Sequence, residues 1–130
     1  MYLLDTHTFL WFLNDDPCLP ADTKELIETT SKPICVSIGV FWEMAIKDSI
    51  GKLTLPASIT QLMNDCREMG FSILPIQSAH LERLKQLPRL HGDPFDRLYV
   101  CQAQAEGMTI ITTDENIVRY DVATLWRPTA

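Results

Sequence analysis

Several features that mark common protein classes are missing from this sequence. Its four cysteines are far apart and form no CxxC pair, and its three histidines show no HxH or HExxH spacing, so neither a zinc site nor a redox motif is predicted. No apolar run approaches the roughly 20 residues that a membrane-spanning helix needs. The opening MYLLDTHTFLWFLNDD lacks the basic segment of a signal peptide. These absences favour a cytoplasmic protein without disulfides.

An excess of basic residues is missing as well. The net charge is −6, which disfavours nonspecific coating of nucleic acid unless the acidic groups are neutralised. What is present is enough apolar material for a core, since 46% of the 130 residues are hydrophobic. The length matches one domain. Cys35 and Cys101 lie inside apolar runs and are predicted to be small core residues.

Short apolar runs alternate with longer segments of helical periodicity. Strands are predicted at 2–5, 34–37, 71–76, 108–114 and 123–126, and helices at 6–14, 22–30, 38–52, 55–70, 78–88 and 91–107. In the 78–88 helix, Leu81, Leu84 and Leu87 are predicted to form the inner face. The strand runs are uniformly apolar, as in sheets covered on both faces. The sequence therefore predicts an α/β fold with a mostly parallel sheet of about five strands flanked by helices.

Carboxylates stand where predicted strands end or helices begin. Asp5 closes the first strand, Asp114 closes the fourth, and Asp93 and Asp96 begin the helix that leads into the fourth. Glu43 lies about two turns into the helix after the second strand, among large apolar neighbours. Ligands of open parallel sheets bind outside the carboxyl ends of the strands, where strand order reverses. We therefore expect these five side chains to face one crevice.

Each of these acids also has a purely local explanation. The four aspartates stand where helix N-caps or first-turn acids are favoured, and Glu43 could pair with Lys47 four residues later. Clustered carboxylates, however, repel one another and need a neutralising partner. An oxygen-only donor set without histidine or cysteine suits Mg²⁺ or Mn²⁺. Without the five acids the chain would carry 12 acidic and 11 basic residues, so a filled metal site would remove the objection to a nucleic-acid substrate.

Four segments in order resemble the motifs of a known family. They are YLLDTHTFLWFL, VSIGVFWEMAIKDSIGKL, HGDPFDRLYVCQAQAEG and TIITTDENI. Together they resemble the PIN-domain family and, within it, the VapC-type ribonuclease toxins of type II toxin–antitoxin systems. The resemblance covers the whole chain, as a single PIN domain over residues 1–130. Two positions depart from the common pattern: Gly92 stands where a basic residue is frequent, and Gly39–Val40 where a second serine is common.

The resemblance implies a Mg²⁺-dependent endoribonuclease, with Mn²⁺ able to substitute. It implies Asp5, Glu43, Asp96 and Asp114 as catalytic residues, all four binding metal together with Asp93. One or two metal ions remain open alternatives. It further implies a homodimer, or a larger toxin–antitoxin assembly, held inactive by a cognate antitoxin, with RNA as substrate and no membrane contact.

Three polar residues beside these acids are further candidates. Thr6 and Thr113 are predicted to hydrogen-bond a phosphate or a metal-binding carboxylate, with helix capping or backbone contacts as the alternative. Arg97 is predicted to balance the acidic cluster or to contact RNA phosphate, with a surface ion pair as the alternative.

The aromatic residues Trp11, Phe41 and Trp42 occur at helical spacing beside Leu and Ile. Although single-stranded RNA can stack on aromatic rings, we interpret these three as core or dimer-packing residues.

Three other functions account for part of the pattern. A phosphoacceptor of the response-regulator type also places acids around Mg²⁺, but strand three ends without an acid and no lysine follows IITT. A catalytically silent PIN-fold binding module would not need an acid in every motif. A structure-specific DNA nuclease of this family generally carries insertions for which this chain has no length to spare.

Overall fold

The computed structural model describes residues 1–128, which form five strands and seven helices. The strands are β1 (Tyr2–Leu4), β2 (Ile34–Ser37), β3 (Ser72–Leu74), β4 (Thr109–Ile111) and β5 (Thr124–Leu125). The helices are α1 (Thr6–Leu13), α2 (Ala21–Thr29), α3 (Ile38–Ser49), α4 (Ile59–Glu68), α5 (Ser78–Gln86), α6 (Pro94–Glu106) and α7 (Glu115–Val118). All five predicted strands and all six predicted helices are present, most of them with shorter bounds, while α7 was not predicted.

The strands form one sheet in the order β3-β2-β1-β4-β5, and every pairing among the described residues is parallel. Leu3 at the centre of β1 is level with Cys35 of β2 on one side and with Ile110 of β4 on the other. The three central strands are almost entirely buried because helices flank the sheet. The α/β prediction is confirmed, and the sheet is wholly rather than mostly parallel.

Strand order reverses between β1 and β4. From β1 the chain moves outward through β2 to β3, and it then returns to the other side of β1 to form β4. Asp5 directly follows β1, and Asp114 follows β4 after Thr112 and Thr113. Both aspartates therefore lie at the carboxyl edge of the sheet, at the position where ligands of open parallel sheets bind.

Capping side chains determine where most of the helices begin. Asp5, Ser37, Ser58, Asp93 and Asp114 each accept a hydrogen bond from a backbone N–H in the first turn of the following helix. Such caps satisfy donors that a helix start leaves unpaired. The caps at Asp5, Asp93 and Asp114 show that the local explanation of these acids is correct, at least in part.

Helix α5 corrects the prediction of its inner face. Leu81, expected to point inward, is 48% exposed, and the buried residue of this helix is His80. His80 accepts a hydrogen bond at Nδ1 from the N–H of Gln77 (3.0 Å), and its Nε2 lies 2.9 Å from Oε1 of Glu106 on α6. Leu84 and Leu87 are half-buried, so the predicted inner face of α5 is confirmed in part, and His80 adds a polar contact to α6.

The remaining expectations about the core are partly confirmed. Cys35, Cys101 and Phe41 are buried, and the cysteines are free thiols. Trp42 is 55% exposed, so it is not a core residue, and the alternative of dimer packing stays a prediction. Trp11 is half-buried. Within residues 1–128, no helix is long and apolar enough to cross a membrane.

Candidate metal centre

Asp5 is held by two elements at once. Its Oδ1 accepts a hydrogen bond from the N–H of Thr8 (2.9 Å), which caps α1, and its Oδ2 accepts one from the hydroxyl of Thr112 (2.5 Å). Thr112 Oγ1 in turn accepts the N–H of Asp114 (2.9 Å), so one threonine links the ends of β1 and β4. Burial raises the pKa of Asp5, although these hydrogen bonds partly oppose the shift. These hydrogen bonds therefore orient the Asp5 carboxylate but do not fully offset the cost of burying its negative charge.

Glu43 lies on α3 and is only 2% exposed. Its Oε1 accepts hydrogen bonds from the hydroxyls of Thr6 (2.7 Å) and Tyr99 (2.9 Å), and its Oε2 forms an ion pair with Lys47 Nζ (2.5 Å). Burial and the charge of Glu43 raise the pKa of Tyr99, so this hydroxyl remains a donor. The predicted Glu43–Lys47 pair exists, but its carboxylate is inside the protein rather than on the surface.

Asp93 and Asp96 begin α6. Oδ1 of Asp93 accepts hydrogen bonds from the N–H groups of Phe95 (2.9 Å) and Asp96 (3.3 Å), and Pro94 occupies the first helical turn, where a missing N–H costs no hydrogen bond. Asp96 makes a single long contact, from its Oδ2 to Nε2 of His91 at 3.4 Å. Thus Asp93 is fixed by the cap, while the side chain of Asp96 has weak support.

Four of the predicted acids act electrostatically on the fifth, Asp96. The pKa of Asp96 is raised to about 8 by burial and then by the negative charges of Asp93, Asp114, Glu43 and Asp5. Each of these four acids must therefore be close enough to act on Asp96. One of them, Asp114, also caps α7 through a hydrogen bond from the N–H of Asn116 (2.8 Å) to its Oδ1. The edge predicted from strand ends is a cluster with excess negative charge.

Lys47 is a cation in contact with this cluster. Burial alone would lower its pKa, but the hydrogen bond and charge of Glu43, with the charges of Asp93 and Asp96, raise the pKa above its usual value. One lysine cannot balance five carboxylates, and the raised pKa of Asp96 shows the remaining imbalance.

Two of the three polar candidates make no hydrogen bond to the acidic cluster among the described residues. Thr113 is exposed and lines a cavity beside Asp5 and Asp114, whereas Thr112 supplies the hydroxyl that binds Asp5. Arg97 is buried, and its guanidinium donates to the carbonyls of Pro88 and Leu87 and to the hydroxyl of Tyr120. A guanidinium used in this way holds the loop before α6, so the alternative of a surface ion pair is wrong, while balancing of the acidic cluster or contact with RNA phosphate stays a prediction.

Three residues that organise the cluster were not predicted: Thr112, Tyr99 and His91. Thr112 adjoins the predicted Thr113, and both lie between β4 and Asp114, so their position was a usable signal but did not show which hydroxyl contacts Asp5. Tyr99 lies more than one turn inside α6 and reaches Glu43 on α3. No sequence spacing indicates such a contact.

The donor set fits a hard divalent cation. No group of three or more Asp, Glu, His or Cys side chains within residues 1–128 is arranged to hold a metal ion directly. Mg²⁺, however, commonly binds through one or two carboxylates and keeps several waters. The cluster offers carboxylate oxygens. It includes Asp96, whose ionised form is disfavoured by burial and by the neighbouring negative charges. Binding of a cation through water therefore agrees with both the chemistry and the geometry.

The protein is therefore an α/β protein with a parallel sheet and an acidic cleft where the strand order reverses. A family model for the PIN domain matches residues 2–123, and the chain belongs to the PIN-domain family.

Several solved structures share the fold. A chain of VapBC2 from Rickettsia felis, bound to a DNA fragment from their promoter, has a TM-score of 0.72 and 18% identity, covering 97% of this chain and 98% of that one. A chain of a toxin–antitoxin complex from Klebsiella pneumoniae has a TM-score of 0.63 and 17% identity, covering 96% of both. A chain of FitAcB from Neisseria gonorrhoeae has a TM-score of 0.60 and 18% identity, covering 96% of both. A search of curated protein sequences gave no match.

Proposed function

We propose that this chain is a metal-dependent endoribonuclease that hydrolyses RNA phosphodiester bonds and acts as the toxin of a toxin–antitoxin pair. The observation that carries the proposal is the convergence of four other acids on Asp96, whose pKa is raised to about 8. Such perturbed groups in a cleft favour a functional site over a purely structural one. Mg²⁺ is the proposed cofactor, and Mn²⁺ can substitute.

Asp5, Glu43 and Asp96 would hold the metal directly or through water, with Asp114 and Asp93 completing the cluster. The bound metal supplies a water of lowered pKa and polarises the scissile phosphate. The chain's own part is orientation: hydroxyls fix Asp5 and Glu43 before any ligand binds, at distances between 2.5 and 2.9 Å. Preorganised donors of this kind need no rearrangement during the reaction.

Lys47 has two roles in this proposal, one before and one after the metal binds. It neutralises Glu43 in the free protein and stands close to Asp93 and Asp96. A divalent cation entering the cluster would take over that neutralisation. The ammonium group, about one third of whose side chain is exposed, could then pair with an RNA phosphate.

The proposed protein partners are a cognate antitoxin and a second copy of the chain. The two copies would form a homodimer, by itself or within a larger toxin–antitoxin assembly. The solved structures that share this fold include toxin–antitoxin complexes. The chain also exposes Trp42, Ile46 and Ile50 at every fourth residue of α3 and its C-cap, a continuous apolar strip suited to a protein partner. Action on cellular RNA would place the protein in the cytoplasm.

The first test is cleavage of total cellular RNA by purified protein with Mg²⁺ and with EDTA. Asp96→Asn is the matched variant, because it keeps the shape and removes the charge. Metal-dependent cleavage by the wild type alone is the expected result. Equal traces from both proteins would mean that the activity is a contaminant and would contradict the proposal.

A catalytically silent PIN-fold binding module is the second candidate. The ion pair between Lys47 and Glu43 favours it, because a lysine can stabilise an acid that binds no metal. Titration with Mn²⁺ followed by electron paramagnetic resonance separates the two: a silent module would bind Mn²⁺ no better than Asp96→Asn does.

A further inference from the structure

A small cavity adjoins the acidic cluster on the side of α1. It has a volume of about 180 Å³ and is lined by Asp5, His7, Thr8, Trp11, Thr113 and Asp114. The two aspartates belong to the proposed metal centre, while His7 and Trp11 are not among its proposed ligands, although His7 acts electrostatically to lower the pKa of Asp5. The cavity therefore opens beside the position where a scissile phosphate would lie.

Two aromatic rings form one wall of this cavity. His7 and Trp11 are four residues apart on α1, and their ring centroids are 5.7 Å apart at an interplanar angle of 43°. Trp126 supports Trp11 from the other side, edge to face, at 6.2 Å. His7 is exposed and Trp11 is half-buried. Trp11 is thus held in place by a neighbouring ring, yet still faces an open cavity.

We propose that this cavity binds one base of single-stranded RNA next to the cleavage site, stacked on the wall formed by His7 and Trp11. This inference rests on the proposed ribonuclease function and adds a base subsite to it. Bases stack on aromatic side chains in single-stranded RNA recognition. The volume is below the roughly 300 Å³ at which pockets for larger ligands begin, so it suits one base rather than a whole nucleotide.

The charge of the walls also selects the base over the phosphate. Asp5 and Asp114 would repel a phosphate group that entered without a cation, but they do not repel a neutral ring. A neutral base in the cavity leaves its own phosphate outside, near the carboxylates. A base bound in this way would therefore help to position the phosphodiester for attack.

The test uses the full-length, metal-free protein with the four neutral ribonucleosides as probes. Indole N–H signals of Trp11, Trp42 and Trp126 are followed by NMR, with ribose as the matched control. We expect at least one nucleoside, at millimolar concentration, to shift the Trp11 signal while the Trp42 signal stays in place. Because nucleosides carry no phosphate, the result does not depend on metal or on cleavage, and failure of the ribonuclease proposal would be seen separately in the RNA assay.

Variants of the wall complete the test. His7→Ala removes an exposed ring and should weaken nucleoside binding by about 5- to 100-fold, and His7→Phe should restore it. Trp11→Leu, which lacks the Trp11 signal and is therefore followed through the neighbouring Trp126 signal, should act like His7→Ala once circular dichroism has shown that it folds. The proposal is overturned if no nucleoside shifts Trp11, if ribose shifts it equally, or if His7→Ala binds as the wild type does.

Discussion

Replacing Asp96 by asparagine should stabilise the metal-free protein at high pH. In the folded chain Asp96 keeps its proton up to about pH 8, whereas in the unfolded chain it ionises near its ordinary value of 3.8. Between these two values the folded state binds more protons, so the free energy of unfolding of the wild type falls as pH rises. The asparagine side chain of the variant would carry no charge, and its contribution would not change over this range.

The size of the effect follows from two opposing terms. A pKa raised from 3.8 to about 8 corresponds to a ceiling of about 5 to 6 kcal/mol above pH 8. Water at the open cleft reduces this to roughly 2 to 3 kcal/mol, since effective permittivities near such sites are high. The helix start adds no separate term, because the raised pKa already includes every interaction of the folded Asp96 with its surroundings. The expectation is a gain of about 2 to 3 kcal/mol at pH 8 and less than about 1 kcal/mol at pH 5.

Urea unfolding in EDTA at pH 5 and pH 8 measures this difference. Glu25→Gln, which changes an exposed acid in the middle of α2, is the control for a general effect of charge removal. Added Mg²⁺ or Mn²⁺ should reverse the order, because a ligand stabilises only the protein that binds it. A variant that is less stable than the wild type in EDTA at pH 8 would refute the reasoning, since it would mean that Asp96 is compensated without metal.

Three further substitutions test the packing around the cluster by urea unfolding. Gly39→Ala should cost about 1 to 3 kcal/mol, because its Cβ would lie 2.8 Å from Cδ2 of Leu98, and unchanged stability would mean that α3 and α6 are less closely packed. Gln102→Leu should be neutral or stabilise by about 1 kcal/mol, since its buried Oε1 has no hydrogen-bond partner in residues 1–128, and a clear loss would point to an unseen partner. Thr112→Val should destabilise by about 1 to 3 kcal/mol by removing a donor to Asp5, while Thr112→Ser should not; equal stability of the two variants would contradict this role.

Much of the fold could be predicted because each element carries its own local signal. Uniformly apolar runs identify the strands, and the caps at Ser58 and Asp93 mark where α4 and α6 begin. The convergence of Asp5 and Asp114 followed from one general property, that carboxyl ends of parallel strands share an edge. The order of strands was not needed for that step.

The rest could not be predicted because it depends on contacts between distant elements. The leucine spacing of α5 indicates one inner face, yet the helix turns so that His80 meets Glu106, 26 residues later. Likewise Tyr99 reaches Glu43 over 56 residues. The exposure of Trp42 could not be predicted either, because a helical pattern does not show that its ring lies at the surface against Phe95 of α6.

Capping and metal binding are compatible roles for these aspartates. Asp5, Asp93 and Asp114 each use Oδ1 for the N–H groups of the helix that follows. A carboxylate has two oxygens, so the cap fixes the side chain at the carboxyl edge of the sheet and leaves the second oxygen for another partner, which for Asp5 is Thr112. Asp96 makes no cap within residues 1–128, and burial and the charges of the neighbouring acids raise its pKa to about 8. The caps thus hold the other carboxylates where they raise the pKa of Asp96, and a divalent cation would relieve that repulsion without undoing a single helix start.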